Sequence, residues 1–231
     1  MTGKKNVSLP CAVGSTSYID TVKNSYYVDK TLLIRDLIDD HAAVTLFTRP
    51  RRFGKTLAVD MLKVFFEKTD EENSVYFRDK KIWDCGEFYR KQQGAYPVIY
   101  ITFKDVKFDN WKDSLEAIRL VIRDEYMRHA EILSWDGLDV VEKDYLDRMQ
   151  KGTLSNVEYT RALLNLSRML EKYHNKKIVV LIDEYDTPIQ QGHSKGFYNE
   201  VITFMRNFMS GGLKDNLALA FGVLTGILRV S

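Results

Sequence analysis

Four short apolar runs punctuate the chain: Ala43–Thr48, "PVIYITF" at 97–103, "KIVVLI" at 177–182 and Leu217–Leu224. Their β-branched and aromatic content predicts strands. "KIVVLI" is continuously apolar after its lysine, the pattern of a strand covered on both faces inside a parallel sheet. Between these runs apolar residues recur every third or fourth position. Residues 29–39 carry Leu32, Leu33, Leu37 and Ile38, with Asp29 placed as an N-cap. Residues 55–67, the face of Trp111, Leu115, Ile118 and Ile122, and residues 138–149 read as helices. A further helix opens on the capping box Ser155–Glu158 and sets Leu163, Leu166 and Leu170 on one face. A last one at 196–209 stops at Gly211-Gly212. Such alternation predicts an α/β fold with a mostly parallel sheet flanked by helices, and a helical insertion at about 105–175 within a single domain spanning 1–231.

Composition narrows this only a little. With 231 residues, 45% of them hydrophobic, the chain can bury a sizeable core, which excludes a disordered segment. Thirty-four basic residues against 32 acidic ones leave a net charge of +2, which neither demands nor excludes nucleic acid; any basic patch has to be local. Cys11 and Cys85 are the only cysteines and stand in unrelated contexts, so neither a disulfide framework nor a zinc site is expected. His41, His129, His174 and His193 lack metal-ligand spacing. No stretch suits a signal peptide or a membrane span, so the chain reads as cytoplasmic with no membrane partner. It stops at Ser231 directly after its last apolar run, which reads as a cut inside a longer protein. A homo-oligomer is left open.

The chemistry concentrates first in "TRPRRFGKT", residues 48–56, between a strand and a helix. Gly54-Lys55-Thr56 is the end of the phosphate-binding pattern G-x-x-x-x-G-K-[ST], with Arg49 where the first glycine is usual. Such a loop aims backbone N–H groups and a helix N-terminus at phosphate, while its lysine reaches the outer phosphates and its hydroxyl takes Mg²⁺. Arg49, Arg51, Arg52 and Lys55 make a dense positive cluster in a nearly neutral chain. The candidate nucleotide-binding segment therefore runs from Arg49 through Pro50, Arg51, Arg52, Phe53, Gly54, Lys55 and Thr56 to Leu57. A basic surface turn is the plainer alternative.

"IVVLIDEYD", Ile178–Asp186, tips the balance towards a nucleotide site. A buried strand that ends in two acids leaves carboxylates needing a cation or donors. Asp183 suits the Mg²⁺ ligand of a P-loop ATPase, with Thr56, and Glu184 the base that orients and deprotonates water. Asp186 or Thr187 before Pro188 reads as a helix cap. Thr225, at the end of the last strand, is the candidate contact to the γ-phosphate or the water, against an ordinary strand-end hydroxyl; Arg229 is weaker. Lys55, Glu184 and Thr225 are thus the candidate catalytic residues.

Five segments together resemble the AAA-ATPase-like family of P-loop proteins: "YYVDKTLLI" at 26–34, "TRPRRFGKTL" at 48–57, "YPVIYITF" at 96–103, "VLIDEYDTPI" at 180–189 and "VLTGILRVS" at 223–231. Arginine at the first loop position is that family's usual pattern. The resemblance implies a P-loop NTPase fold, ATP and Mg²⁺ as cofactors, and the 26–31 segment, with Tyr27, Asp29, Lys30 and Thr31, near the base. It also implies a C-terminal nuclease-like domain of the PD-(D/E)XK type in a parent protein. Two rivals to ATP hydrolysis remain: a nucleotide-gated switch without useful turnover, and a phosphotransferase acting on a small substrate.

Overall fold

The computed structural model describes residues 14–50 and 52–227. They form two compact units: residues 14–41 with 52–95, and residues 42–50 with 96–227. No helix among the described residues is long and apolar enough to cross a membrane.

The first unit is helical. It comprises α1 (Tyr18–Asn24), α2 (Leu32–Asp40), α3 (Lys55–Phe66), a 3₁₀ turn at Asn73–Tyr76, α4 (Lys81–Asp84) and α5 (Glu87–Arg90). Ser17 caps α1 by accepting from Asp20 N, and α2 ends on His41 in a left-handed conformation. Asp29 does not cap α2 as the sequence pattern predicts, since the N-cap position falls on Thr31. Asp29 instead accepts from Thr31 N at 2.8 Å and from Lys81 N at 2.9 Å, tying two stretches of the unit together. The core is aromatic. Tyr18 stacks on Phe77 at 5.1 Å, and Phe65 meets both Phe66 and Phe77 edge-on.

The second unit holds the sheet: β1 (Val44–Thr48), β2 (Val98–Thr102), β3 (Ile178–Asp183) and β4 (Leu219–Gly226). The order is β1-β4-β3-β2 and every pair is parallel. The α/β architecture with a parallel sheet flanked by helices therefore stands, and it is compatible with a P-loop NTPase fold. Between β2 and β3 lie α6 (Trp111–Arg128), α7 (Ala130–Leu133), α8 (Val140–Lys151), α9 (Asn156–Thr160) and α10 (Ala162–His174). Then come α11 (Thr187–Lys195) and α12 (Tyr198–Leu213). Capping boxes start α8 at Asp139 and α9 at Ser155, satisfying N–H groups that a helix start leaves without partners. Every residue of β3 is buried, as its apolar run requires.

One helix end differs from expectation. Gly211-Gly212 does not stop a helix; α12 continues through both to Leu213. A Cβ on Gly212 would lie 2.3 Å from Leu163 side-chain atoms. The glycine lets α12 approach α10 closely.

Candidate functional site

In the second unit the functional candidates gather at the carboxyl ends of the strands, where parallel sheets bind ligands. β3 ends on Asp183, which is 0% exposed. Ile182 pairs with Leu224, so the next residues, Asp183 and Thr225, stand side by side on neighbouring strands. The Thr225 hydroxyl donates to Asp183 Oδ1 and accepts from Glu184 N at 3.3 Å. Tyr185 N donates to Thr225 O at 3.0 Å. Thr225 thus braces the chain where it leaves β3. β4 also pairs with β1, with Phe47 opposite Thr225, and Arg49 N extends that ladder by donating to Gly226 O at 3.2 Å. Arg49, Asp183, Glu184 and Thr225 therefore lie at one end of one sheet, with Pro50 following Arg49.

Glu184 takes a left-handed backbone, φ 52°, at a cost on the order of 1–3 kcal/mol for a residue other than glycine. This bend turns the chain out of β3 and into α11. Thr187 holds the result: its hydroxyl donates to Glu184 Oε2 at 3.0 Å, and its N–H to Glu184 O at 3.1 Å. Asp186 occupies the N-cap position of α11, with Pro188 next after Thr187, yet its side chain makes no cap hydrogen bond. Oδ2 of Asp186 accepts instead from Gln190 Nε2 at 2.6 Å and from Ile227 N at 2.9 Å.

Sequence reasoning overlooked the contributions of Thr187 and Gly226. Gly226 has no left-handed φ that would call for glycine. A Cβ there would stand 2.7 Å from both Asp186 Oδ1 and Tyr185 Cε1, so the residue is small because the β3–α11 bend crowds it. The available signal was a glycine at the end of an apolar strand with no turn to explain it.

In the first unit the rest of the loop leads into α3. Arg52 and Gly54 both have left-handed φ, 68° and 73°. Gly54 is the N-cap, and its carbonyl accepts from Ala58 N at 3.0 Å. Lys55 is nine-tenths buried in the first turn of this 12-residue helix, Thr56 and Leu57 are half-buried, and Phe53 is exposed. A helix N-terminus with a glycine turn before it points its first backbone N–H groups outward along the axis, the chemistry that attracts an anion. Arg51 and Arg229 lie outside the described residues. Of the 26–31 segment, Tyr27 and Lys30 face a cavity beside Gly54. Asp29 and Thr31 serve structure, with Thr31 fully buried and its hydroxyl accepting from Ile82 N at 3.2 Å.

Among the described residues no group of three or more His, Cys, Asp and Glu is arranged to hold a metal ion. At the end of β3 the buried Asp183 has hard oxygens that match a cation taking most of its remaining ligands from water and phosphate.

The comparisons with known proteins agree with this architecture. An "Uncharacterized protein in vnfD 5'region" from Azotobacter chroococcum mcd 1 is 27% identical over 225 residues, covering 96% of this chain. The chain spans only 38% of that relative's length. No solved structure matches. The family model described as "Predicted AAA-ATPase" matches residues 12–231, and the chain belongs to that family.

Proposed function

We propose that the chain is a Mg²⁺-dependent ATP-binding module that hydrolyses the β–γ bond of ATP. The observation that carries this reading is the buried Asp183–Thr225 pair at the carboxyl ends of adjacent parallel strands, beside the strand that continues into Gly54-Lys55-Thr56. A fully buried carboxylate at the carboxyl end of a parallel strand suits a cation that arrives with its ligand. In this reading residues 49–57 wrap the phosphates, and Lys55 neutralises the β- and γ-phosphates with help from Arg51 or Arg52. Thr56 and Asp183 are the protein's ligands to Mg²⁺, whose chemistry when bound is to neutralise charge developing on the phosphate oxygens. Glu184 orients water and accepts its proton, and Thr225 contacts the water or the γ-phosphate.

The match to a family of predicted ATPases supports the nucleotide. The helices between β2 and β3 are an insertion into one nucleotide-binding domain. A nuclease-like domain is the partner in a longer parent protein, in keeping with a relative much longer than the matched stretch.

Phosphate release and thermal unfolding with Mg²⁺-ATP test the proposal. At a ligand concentration of 100 Kd the folded state gains about 2.7 kcal/mol, an easily read shift. Lys55→Ala should abolish it, and EDTA should abolish turnover. Equal responses of wild type and Lys55→Ala to nucleotide would remove Lys55 from the site.

A further inference from the structure

In the second unit a cavity of about 490 Å³ is walled by α9, α12 and the first residue of α6, and no nucleotide role falls on it. Asn199, Thr203 and Asn207 line it from α12, and Asn156 and Thr160 from α9. Trp111 and Phe204 supply its apolar part. We propose that this cleft binds an extended, largely uncharged peptide segment of a partner protein, recognised through its backbone and anchored by one aliphatic side chain beside Trp111.

Spacing is the first reason. Asn199, Thr203 and Asn207 recur at intervals of four along α12, which sets them in a row about 6 Å apart. An extended peptide turns the same edge of its backbone to a neighbour every second residue, about 6.6 Å. The two repeats nearly coincide over three groups. The chemistry also matches. The Thr203 hydroxyl donates to Asn199 O at 2.7 Å and the Thr160 hydroxyl to Val157 O at 2.7 Å, so each keeps lone pairs for an incoming N–H. The side-chain amides of Asn199 and Asn207 have no hydrogen-bond partner among the described residues. Such an amide offers both a donor and an acceptor, the complement of a peptide's C=O and N–H.

Charge and apolar content select the occupant. Although 29% of the chain is charged, Glu200 is the one charged residue among the described residues that line the cleft. Charge depletion around an aromatic centre is the composition of a protein-binding surface, not of an anion or nucleic-acid site. Trp111 is held in place, its ring 6.2 Å from that of Phe204 and 6.4 Å from that of Phe197, both buried. Asn156 is fixed by accepting from Arg119, whose guanidinium lies over the Tyr159 ring. Val157, next to Asn156, is 72% exposed. A fixed indole and an exposed valine suit one aliphatic side chain, and Glu200 favours a basic residue beside it.

A randomised heptapeptide library displayed on phage, selected on wild type and counter-selected on Thr203→Arg, tests this. Thr203 and Asn207 are exposed, so their substitution spares the core. Peptides with an aliphatic residue next to a basic one should be retained by wild type and lost on Thr203→Arg. In fluorescence polarisation a selected peptide should bind about tenfold more weakly to Asn207→Ala, the scale of a hydrogen bond left unmade. N-methylation of one alternate set of its amides should cost at least as much and of the other set less, since only one backbone edge faces α12. An empty selection, peptides indifferent to Thr203→Arg, or equal tolerance of methylation at every amide overturns the inference. So does binding of maltotetraose in place of any peptide, which would assign the cleft to a neutral sugar.

Discussion

The Thr187 hydroxyl donates a hydrogen bond to Glu184 Oε2 at 3.0 Å, across the bend that ends β3 and begins α11. The contact fixes one oxygen of the proposed base and leaves the other for water. Glu184→Gln retains the reach of the side chain but cannot accept a proton. Turnover should fall by on the order of a hundredfold or more, with ATP affinity retained. Thr187→Val frees the carboxylate to rotate and should give a smaller loss of turnover, again without loss of affinity. Phosphate release at saturating ATP, paired with calorimetry, reads both. A Glu184→Gln protein as fast as an active wild type takes Glu184 out of the mechanism.

Arg49 and Gly54 should differ sharply as sites of substitution. Arg49 meets β4 through its backbone N–H, which Arg49→Gly keeps, so restoring the general loop motif should leave ATP affinity unchanged or modestly weaker. Gly54 holds φ 73°, where a Cβ costs about 1–2 kcal/mol, and the added methyl would stand against Lys30. Gly54→Ala should lower both stability and affinity. Tighter binding by Arg49→Gly, with Gly54→Ala tolerated, would put the phosphate-binding turn elsewhere in the loop.

Gly226→Ala should destabilise the fold through crowding. The new methyl would overlap Asp186 and Tyr185, neither of which can retreat freely: Asp186 is held by Ile227 N and Gln190, and Tyr185 by its own bond to Thr225 O. Overpacking of this kind costs about 1–3 kcal/mol. Chemical unfolding measures it, and an unchanged midpoint would show that the bend can widen.

A cluster at the end of α6 should tie stability to pH on the acid side. Burial works to raise the Glu131 carboxyl, but hydrogen bonds from His129, its own backbone and His174, with the positive charge of His129, bring it to about 2, against 4.5 for a free glutamate. Glu125, whose pKa is also lowered on folding despite burial, shares His129 with it and pairs with Arg128 as well. A carboxylate depressed on folding adds stability above its unfolded pKa and loses it as pH falls to the folded value. Glu131→Gln should therefore be less stable than wild type above pH 4.5, with the gap closing towards about pH 2. Urea unfolding across that window is the measurement; a gap independent of pH would rule out the ionised Glu131 as its source.

The sheet was legible because its strands are apolar runs with few competing readings, and "KIVVLI" became the fully buried β3. The acids after it were legible because a carboxylate there needs a reason. Residues 68–96 offered no such signal. Their 3₁₀ turn, α4 and α5 are four residues each, too short for helical periodicity to register, and they are fixed by tertiary bonds such as Asp29 to Lys81 N. Gly212 misled for a related reason: glycine beside glycine looks like a stop until Leu163 is seen against it. Thr187 was passed over because a threonine before proline already has a local explanation as a cap.

The strand order has a consequence for how the chain acquires its structure. β4 is the last of the four strands to be made, yet it is the one that joins β1 to β3. Until Leu219–Gly226 leaves the ribosome, β1 has no neighbour and β3 is paired only with β2. Loop closure on that scale makes folding slow, and the nascent chain presents unpaired apolar strand edges while it waits. A truncation before Leu219 should therefore leave an aggregation-prone fragment instead of a smaller domain, although it removes less than a tenth of the residues.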